Sequence, residues 1–144
     1  MNDSSDQAPT AEADDRFPSG DWRGFFLEPK ENDRRTWMDL VLSFCDGQIK
    51  GDGKDRIGNF SFTGTYDTTS GLVWIDKHYL ERHHIFYRGY ADGTNKGIWG
   101  IWEFGGYSKG GWHIWPKKLG DLTVLSRTEE AEVPVNAEVP APTR

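Results

Sequence analysis

Strict two-residue alternation, broken at short intervals by glycine-rich turns, constrains this chain more than any other feature. From Thr36 to Phe44, Met38, Leu40, Leu42 and Phe44 are all apolar, and Trp37, Asp39, Val41 and Ser43 lie between them. Successive side chains of a strand point to opposite faces, so the even set belongs to a core. The pattern returns from Arg56 to Tyr66, where Phe60, Phe62, Gly64 and Tyr66 oppose Ser61, Thr63 and Thr65. It returns again from Lys96 to Phe104, where Ile98, Gly100 and Trp102 oppose Trp99, Ile101 and Glu103. No comparable stretch carries the 3.6-residue period of a helix.

The turns between these segments have their own chemistry. Asp46-Gly47 tolerates positive φ and marks a hairpin. Pro29 to Arg34, Asp52 to Asp55, Thr68 to Gly71, Asp92 to Asn95 and Gly105-Gly106 are polar or glycine-rich breaks. They divide the chain into eight strands: 20–27, 36–44, 48–51, 56–66, 72–79, 83–91, 96–104 and 110–115, the last ended by Pro116, which has no N–H for a ladder. Residues 119–125 are a candidate edge segment. Short hairpin connections make an antiparallel meander. Eight strands suit an up-and-down β-barrel whose interior holds side chains or one small ligand. A two-sheet sandwich is the alternative, but glycines spaced along the strands fit barrel curvature better. The expected fold is therefore all-β, an eight-stranded antiparallel up-and-down β-barrel.

Composition sets its limits. The net charge of −6 lies in the ends: −4 over residues 1–17 and −3 over 128–144, leaving 18–127 at +1. All twenty aromatic residues fall between positions 17 and 115. Acidic, Ala- and Pro-rich ends without aromatics bury too little surface to offset chain entropy. The expected organisation is a barrel domain over 18–126 between disordered tails, 1–17 and 127–144. A core near neutrality lacks the electrostatic footprint of nucleic-acid binding. No apolar run suggests a signal segment or a membrane span. Cys45 is the single cysteine, so no intrachain disulfide forms. Together these point to a cytoplasmic protein.

The residues richest in chemistry cluster between Asp76 and Gly89, across two strands joined at 80–82. Lys77 and Tyr79, then His83, Ile85, Tyr87 and Gly89, share one parity. If that parity faces inward, the Lys77 ammonium needs a partner, because an unpaired buried charge is very costly. Asp55, at the mouth of its hairpin, is the expected one. Two readings fit. Lys77 holds an anionic or carbonyl-bearing ligand with His83 and the tyrosines as donors, or Lys77 and Asp55 form a structural pair closing the barrel floor. The candidate ligand-binding set is Lys77, Tyr79, His83, Tyr87, Asp55 and Trp102.

Other constellations are weaker. His83 and His84 are adjacent on a strand and point apart, while His78 and His84 share a parity but need a third ligand to hold a metal. Asp46 to Asp55 misses the spacing of a calcium loop. There is no Gly-x-Ser-x-Gly, phosphate loop or catalytic pair. No catalytic residue, metal or cofactor is assigned. Trp37, Trp74 and Trp99 have the outward parity and would suit a protein partner, a sugar or a second copy.

Gly20-x-Trp22 resembles the opening of calycin barrels, the lipocalins and avidins, and the run 58–66 is similar to an avidin strand. Gly20-x-Trp22-x-Gly24 also resembles the opening of haem-binding nitrobindin barrels, but the late-strand His113 has the outward parity. A longer skeleton is similar to uncharacterised bacterial barrel domains related to segments of some fungal F-box proteins. It comprises Met38-x-Leu40-x-Leu42-x-Phe44, Gly47-x-Ile49-x-Gly51-x-Gly53-x-Asp55, Gly58-x-Phe60, Gly64, Lys77-x-Tyr79, His83-x-Ile85-x-Tyr87-x-Gly89, Ile98-x-Gly100-x-Trp102 and His113-Ile114-Trp115-Pro116. The resemblance implies a lipocalin-like barrel and no particular chemistry. The expected function is non-enzymatic binding of a small ligand. A protein-interaction or self-association barrel with a filled interior comes second, and an enzyme third.

Overall fold

The computed structural model describes residues 12–93 and 96–117. Eight strands, β1 (Gly20–Glu28), β2 (Arg34–Cys45), β3 (Gln48–Lys54), β4 (Asn59–Tyr66), β5 (Leu72–Tyr79), β6 (His84–Ala91), β7 (Ile98–Phe104) and β8 (Ser108–Pro116), form a closed antiparallel barrel in chain order. Each strand pairs with its sequence neighbours, and β1 meets β8 from Trp22↔Pro116 to Phe26↔Trp112. Among the described residues no helix is long and apolar enough to cross a membrane.

The expected parities hold. Met38, Leu40, Leu42 and Phe44 are buried, as are Phe60, Phe62 and Tyr66 of β4 and Val73, Ile75, Lys77 and Tyr79 of β5. The middle of the barrel is filled with rings, Phe44 against Tyr66 at 5.4 Å between centroids and Phe60 against Phe62 at 5.5 Å. Gly89 of β6 and Gly100 of β7 lie opposite each other. A Cβ on Gly100 would sit 1.9 Å from the Arg88 carbonyl oxygen, and one on Gly89 would sit 2.9 Å from the Trp112 ring. Gly89 leaves that space to the Trp112 indole, whose Nε1 donates to the Arg88 carbonyl at 3.2 Å.

Three expectations are corrected. The third strand does not stop at Gly51 but runs to Lys54, because Gly53 is a strand glycine opposite both Leu40 and Phe60. A Cβ there would fall 2.7 Å from the Phe60 ring, so glycine serves close packing rather than a turn. The reversal lies at 55–58 instead. The eighth strand likewise begins earlier, at Ser108, and includes Pro116 as its last residue.

The third correction concerns the start of the domain, expected at residue 18 with all of 1–17 in a disordered tail. Residues 12–17 are packed across one end of the barrel. Phe17 is fully buried, 4.7 Å from the Tyr66 ring and 5.5 Å from Phe44. The Glu12 N–H donates to the Phe44 carbonyl at 3.1 Å, and the Tyr66 hydroxyl donates to Glu12 Oε1 at 2.5 Å. Arg16 bonds Asp14 and reaches the Ala91 carbonyl. Charge density in this stretch hid the single ring that docks it. Residues 1–11, the candidate segment 119–125 and the tail 127–144 lie outside the described residues.

This strap closes the end formed by the turns at 46–47 and 67–71 and by residues 92–93 and 96–97. The opposite end is formed by the turns at 29–33, 55–58, 80–83 and 105–107, and it positions the site.

Candidate functional site

At the open end, Lys77 projects inward from β5 into a box of rings. Its Nζ lies 4.3 Å from the Phe26 centroid, 4.3 Å from Phe60 and 4.8 Å from Tyr79. Nζ donates to Asp55 Oδ2 at 2.8 Å, and both side chains are wholly excluded from solvent. Met38 Sδ and the Tyr87 hydroxyl each stand 3.4 Å from Nζ. An ammonium above aromatic faces gains from their quadrupoles, most when water is excluded. The charge is thus held by one carboxylate and several rings.

Asp55 is shared between two structures. Its Oδ2 accepts from Lys77 and from the Tyr79 hydroxyl at 2.6 Å. Its Oδ1 accepts the N–H groups of Ile57 at 2.9 Å and Gly58 at 3.2 Å, forming the turn between β3 and β4. The carboxylate therefore ties that turn to the barrel interior. Burial pulls the Lys77 ammonium down to about 8, against the opposing pull of Asp55. Burial also pushes the Tyr79 and Tyr87 hydroxyls well above the ordinary tyrosine value, and for Tyr79 the bond to Asp55 adds to it.

Four of the six expected site residues thus converge: Lys77, Asp55, Tyr79 and Tyr87. The other two lie beside them. His83 packs on Tyr79 at 5.3 Å and on Phe104 at 4.7 Å, and partial burial holds its imidazole below the usual range. Trp102 turns its indole N–H to the Leu27 carbonyl at 3.0 Å and packs edge-on against Phe26. Phe26 and Met38 were missed as neighbours of the ammonium. Phe26 lies in a run where Phe25, Phe26 and Leu27 are all buried, so alternation did not reveal its direction.

Above this cluster is a cleft of about 440 Å³, lined by Phe26, Ile57, Ile85, Tyr87, Trp102 and Phe104. Its rim carries Glu28, Lys30, Glu31, Tyr107, Ser108 and Lys109. Phe26 and Tyr87 belong to both the cleft and the ammonium box, so the cleft floor is one ring thick above the buried pair. None of the rim residues was expected from sequence. They come from separate turns that only the closed topology brings together.

Elsewhere, His78 and His84 stack across β5 and β6 with centroids 3.9 Å apart and 5° between planes, and His84 Nδ1 lies 2.9 Å from Asp76. Among the described residues no group of three His, Cys, Asp or Glu is placed to hold a metal. His113 faces outward among Phe25, Trp99 and Trp115, with Nε2 near the Lys96 carbonyl. Trp37, Trp74 and Trp99, expected as an exposed patch, are half-buried. Trp37 sits against Phe25 and Trp115, under the Arg23 guanidinium. Among the described residues the exposed large apolar side chains are Leu80 and Tyr107 in the open-end turns, Phe104 beside them, and Val41 and Phe86 on the outer faces of β2 and β6.

Compared with known protein families, curated proteins and solved structures, the chain matches none.

Proposed function

We propose that this protein is a non-enzymatic binding barrel whose small ligand lies in the cleft at the open end rather than in the barrel interior. The supporting observation is the cleft itself, concave and mostly apolar, with a few polar groups confined to its rim, as is usual of small-molecule sites. The rings of Phe44, Phe60, Phe62 and Tyr66 packed in the middle of the barrel argue against a site deeper in. In this reading Lys77 does not touch the ligand. It holds the floor, because its ammonium is already engaged by Asp55 and enclosed by rings.

The test is a mass spectrum of small molecules extracted from protein purified under native conditions, run beside an Ile85→Trp variant that fills the cleft. A co-purifying molecule lost in the variant supports the proposal. A molecule retained equally by both overturns it.

The filled interior also favours a second reading, an interaction barrel that uses Leu80, Phe104 and Tyr107 around the same mouth. Replacing Leu80 and Tyr107 by Glu separates the two. A change in oligomeric state or in co-purifying protein favours interaction, and an unchanged assembly favours the small ligand.

A further inference from the structure

Given the cleft reading above, on which this inference rests, we propose that the ligand is a planar aromatic anion, seated with its rings between Phe26, Trp102 and Phe104 and its charge at Lys30 and Lys109. Two observations carry the class. The first is the lining. Five of the cleft residues are aromatic, Phe26, Tyr87, Trp102, Phe104 and Tyr107, while the aliphatic contribution comes from Pro29, Ile57 and Ile85. Rings pack on rings in offset or edge-on geometry and gain beyond their buried area. Phe26 and Trp102 already stand edge-on at 6.3 Å and 78°, so a flat guest meets both a ring face and a ring edge.

The second observation is the rim charge. Glu28 is occupied by Arg34 at 3.1 Å, by Arg56 at 3.0 Å and by the Thr36 hydroxyl. Glu103, across the ladder from Lys109, is taken by Arg88 at 3.2 Å. Lys30 Nζ has only a long contact, 3.5 Å, to Ser108 Oγ, the residue next to Lys109. Of the charges lining the cleft, Glu28 is overmatched by Arg34 and Arg56, which leaves Lys30 and Lys109 against Glu31. That balance is net positive, and the Lys30 ammonium and the Ser108 hydroxyl flank one side of the cleft, with Lys109 the next residue of β8. Such a rim draws an anion and disfavours an organic cation, despite the aromatic walls.

The probes are 8-anilinonaphthalene-1-sulfonate, its uncharged counterpart N-phenyl-1-naphthylamine, and laurate as an aliphatic anion, read by probe fluorescence and competition on the full chain. The sulfonate is expected to bind one site, about tenfold or more tighter than the neutral probe. A double substitution, Lys30→Gln with Lys109→Gln, is expected to bring the sulfonate down to the neutral probe's affinity without changing the latter. Laurate is expected to displace the sulfonate poorly. Equal binding of the two naphthyl probes, or ready displacement by laurate, overturns the aromatic-anion class while leaving the cleft in place. If Ile85→Trp leaves sulfonate binding untouched, the cleft reading itself has failed. Tyr107→Ala, at a side chain 84 % exposed and so remote from the folding core, is a second probe of the same wall. It is expected to weaken the sulfonate, and an unchanged affinity counts against the cleft.

Discussion

Both carboxylate oxygens of Asp55 are occupied, each by two donors, and this makes the residue an anchor for the open end. Removing its ammonium partner leaves a buried charge with no countercharge. Lys77→Met is therefore expected to lower unfolding free energy by about 3–5 kcal/mol in urea titrations. Asp55→Asn strands the ammonium instead, and the double change should recover part of the summed loss, because coupled groups are non-additive. Strictly additive losses would show that the pair does not couple. The ammonium also sets a pH dependence. Its folded value of about 8 lies below the ordinary 10.5, so between those values the unfolded chain binds more protons and stability rises with pH. As pH falls through about 8 that contribution is lost. Urea midpoints at pH 7 and 9.5 should therefore diverge, the wild type gaining relative to Lys77→Met, whose curve lacks this titration.

At the scale of elements, the strap at residues 12–17 owes its place to one ring. Phe17→Ala is expected to cost about 3–5 kcal/mol, as for other buried phenylalanines, and to lower the thermal midpoint by several degrees. An unchanged midpoint would mean that the strap is dispensable. In β7, Gly100→Ala should prevent the β6–β7 ladder from closing, since the new carbon meets the Arg88 carbonyl, and soluble yield reports it. The strands were legible because alternation survives in most of them: Met38 to Phe44, Phe60 to Tyr66 and Ile75 to Tyr79 each declare a face. Their ends were less so. Gly53 looks like a turn residue in sequence, yet it serves close strand packing, and a glycine does not announce which purpose it meets. The strap was misjudged because average composition outweighed Phe17. Lys77, Asp55, Tyr79 and Tyr87 were legible as a group because a charged residue at core parity demands a partner.

The cleft belongs to the whole molecule, and for that reason it was not legible. Phe26, Ile85 and Trp102 lie on three different strands and Ile57 in a turn, and only closure between β1 and β8 makes them neighbours. That closure has a further consequence, for folding kinetics. Seven of the eight strand pairings join chain neighbours and are local hairpins; the β1–β8 seam alone joins opposite ends of the barrel sequence. Loop-closure entropy makes such a contact the slow one to gain. A ring-lined meander should form first and the seam zip last, with Phe25, Leu27 and Trp115 as its outer clasp. Weakening that clasp, for example by Leu27→Ala, should speed unfolding and leave the folding arm of a chevron nearly unchanged. A slowed folding arm would place the seam in the nucleus instead. With the seam zipping last, the cleft is the final feature the molecule acquires, and a ligand bound there would act as a kinetic latch on the barrel.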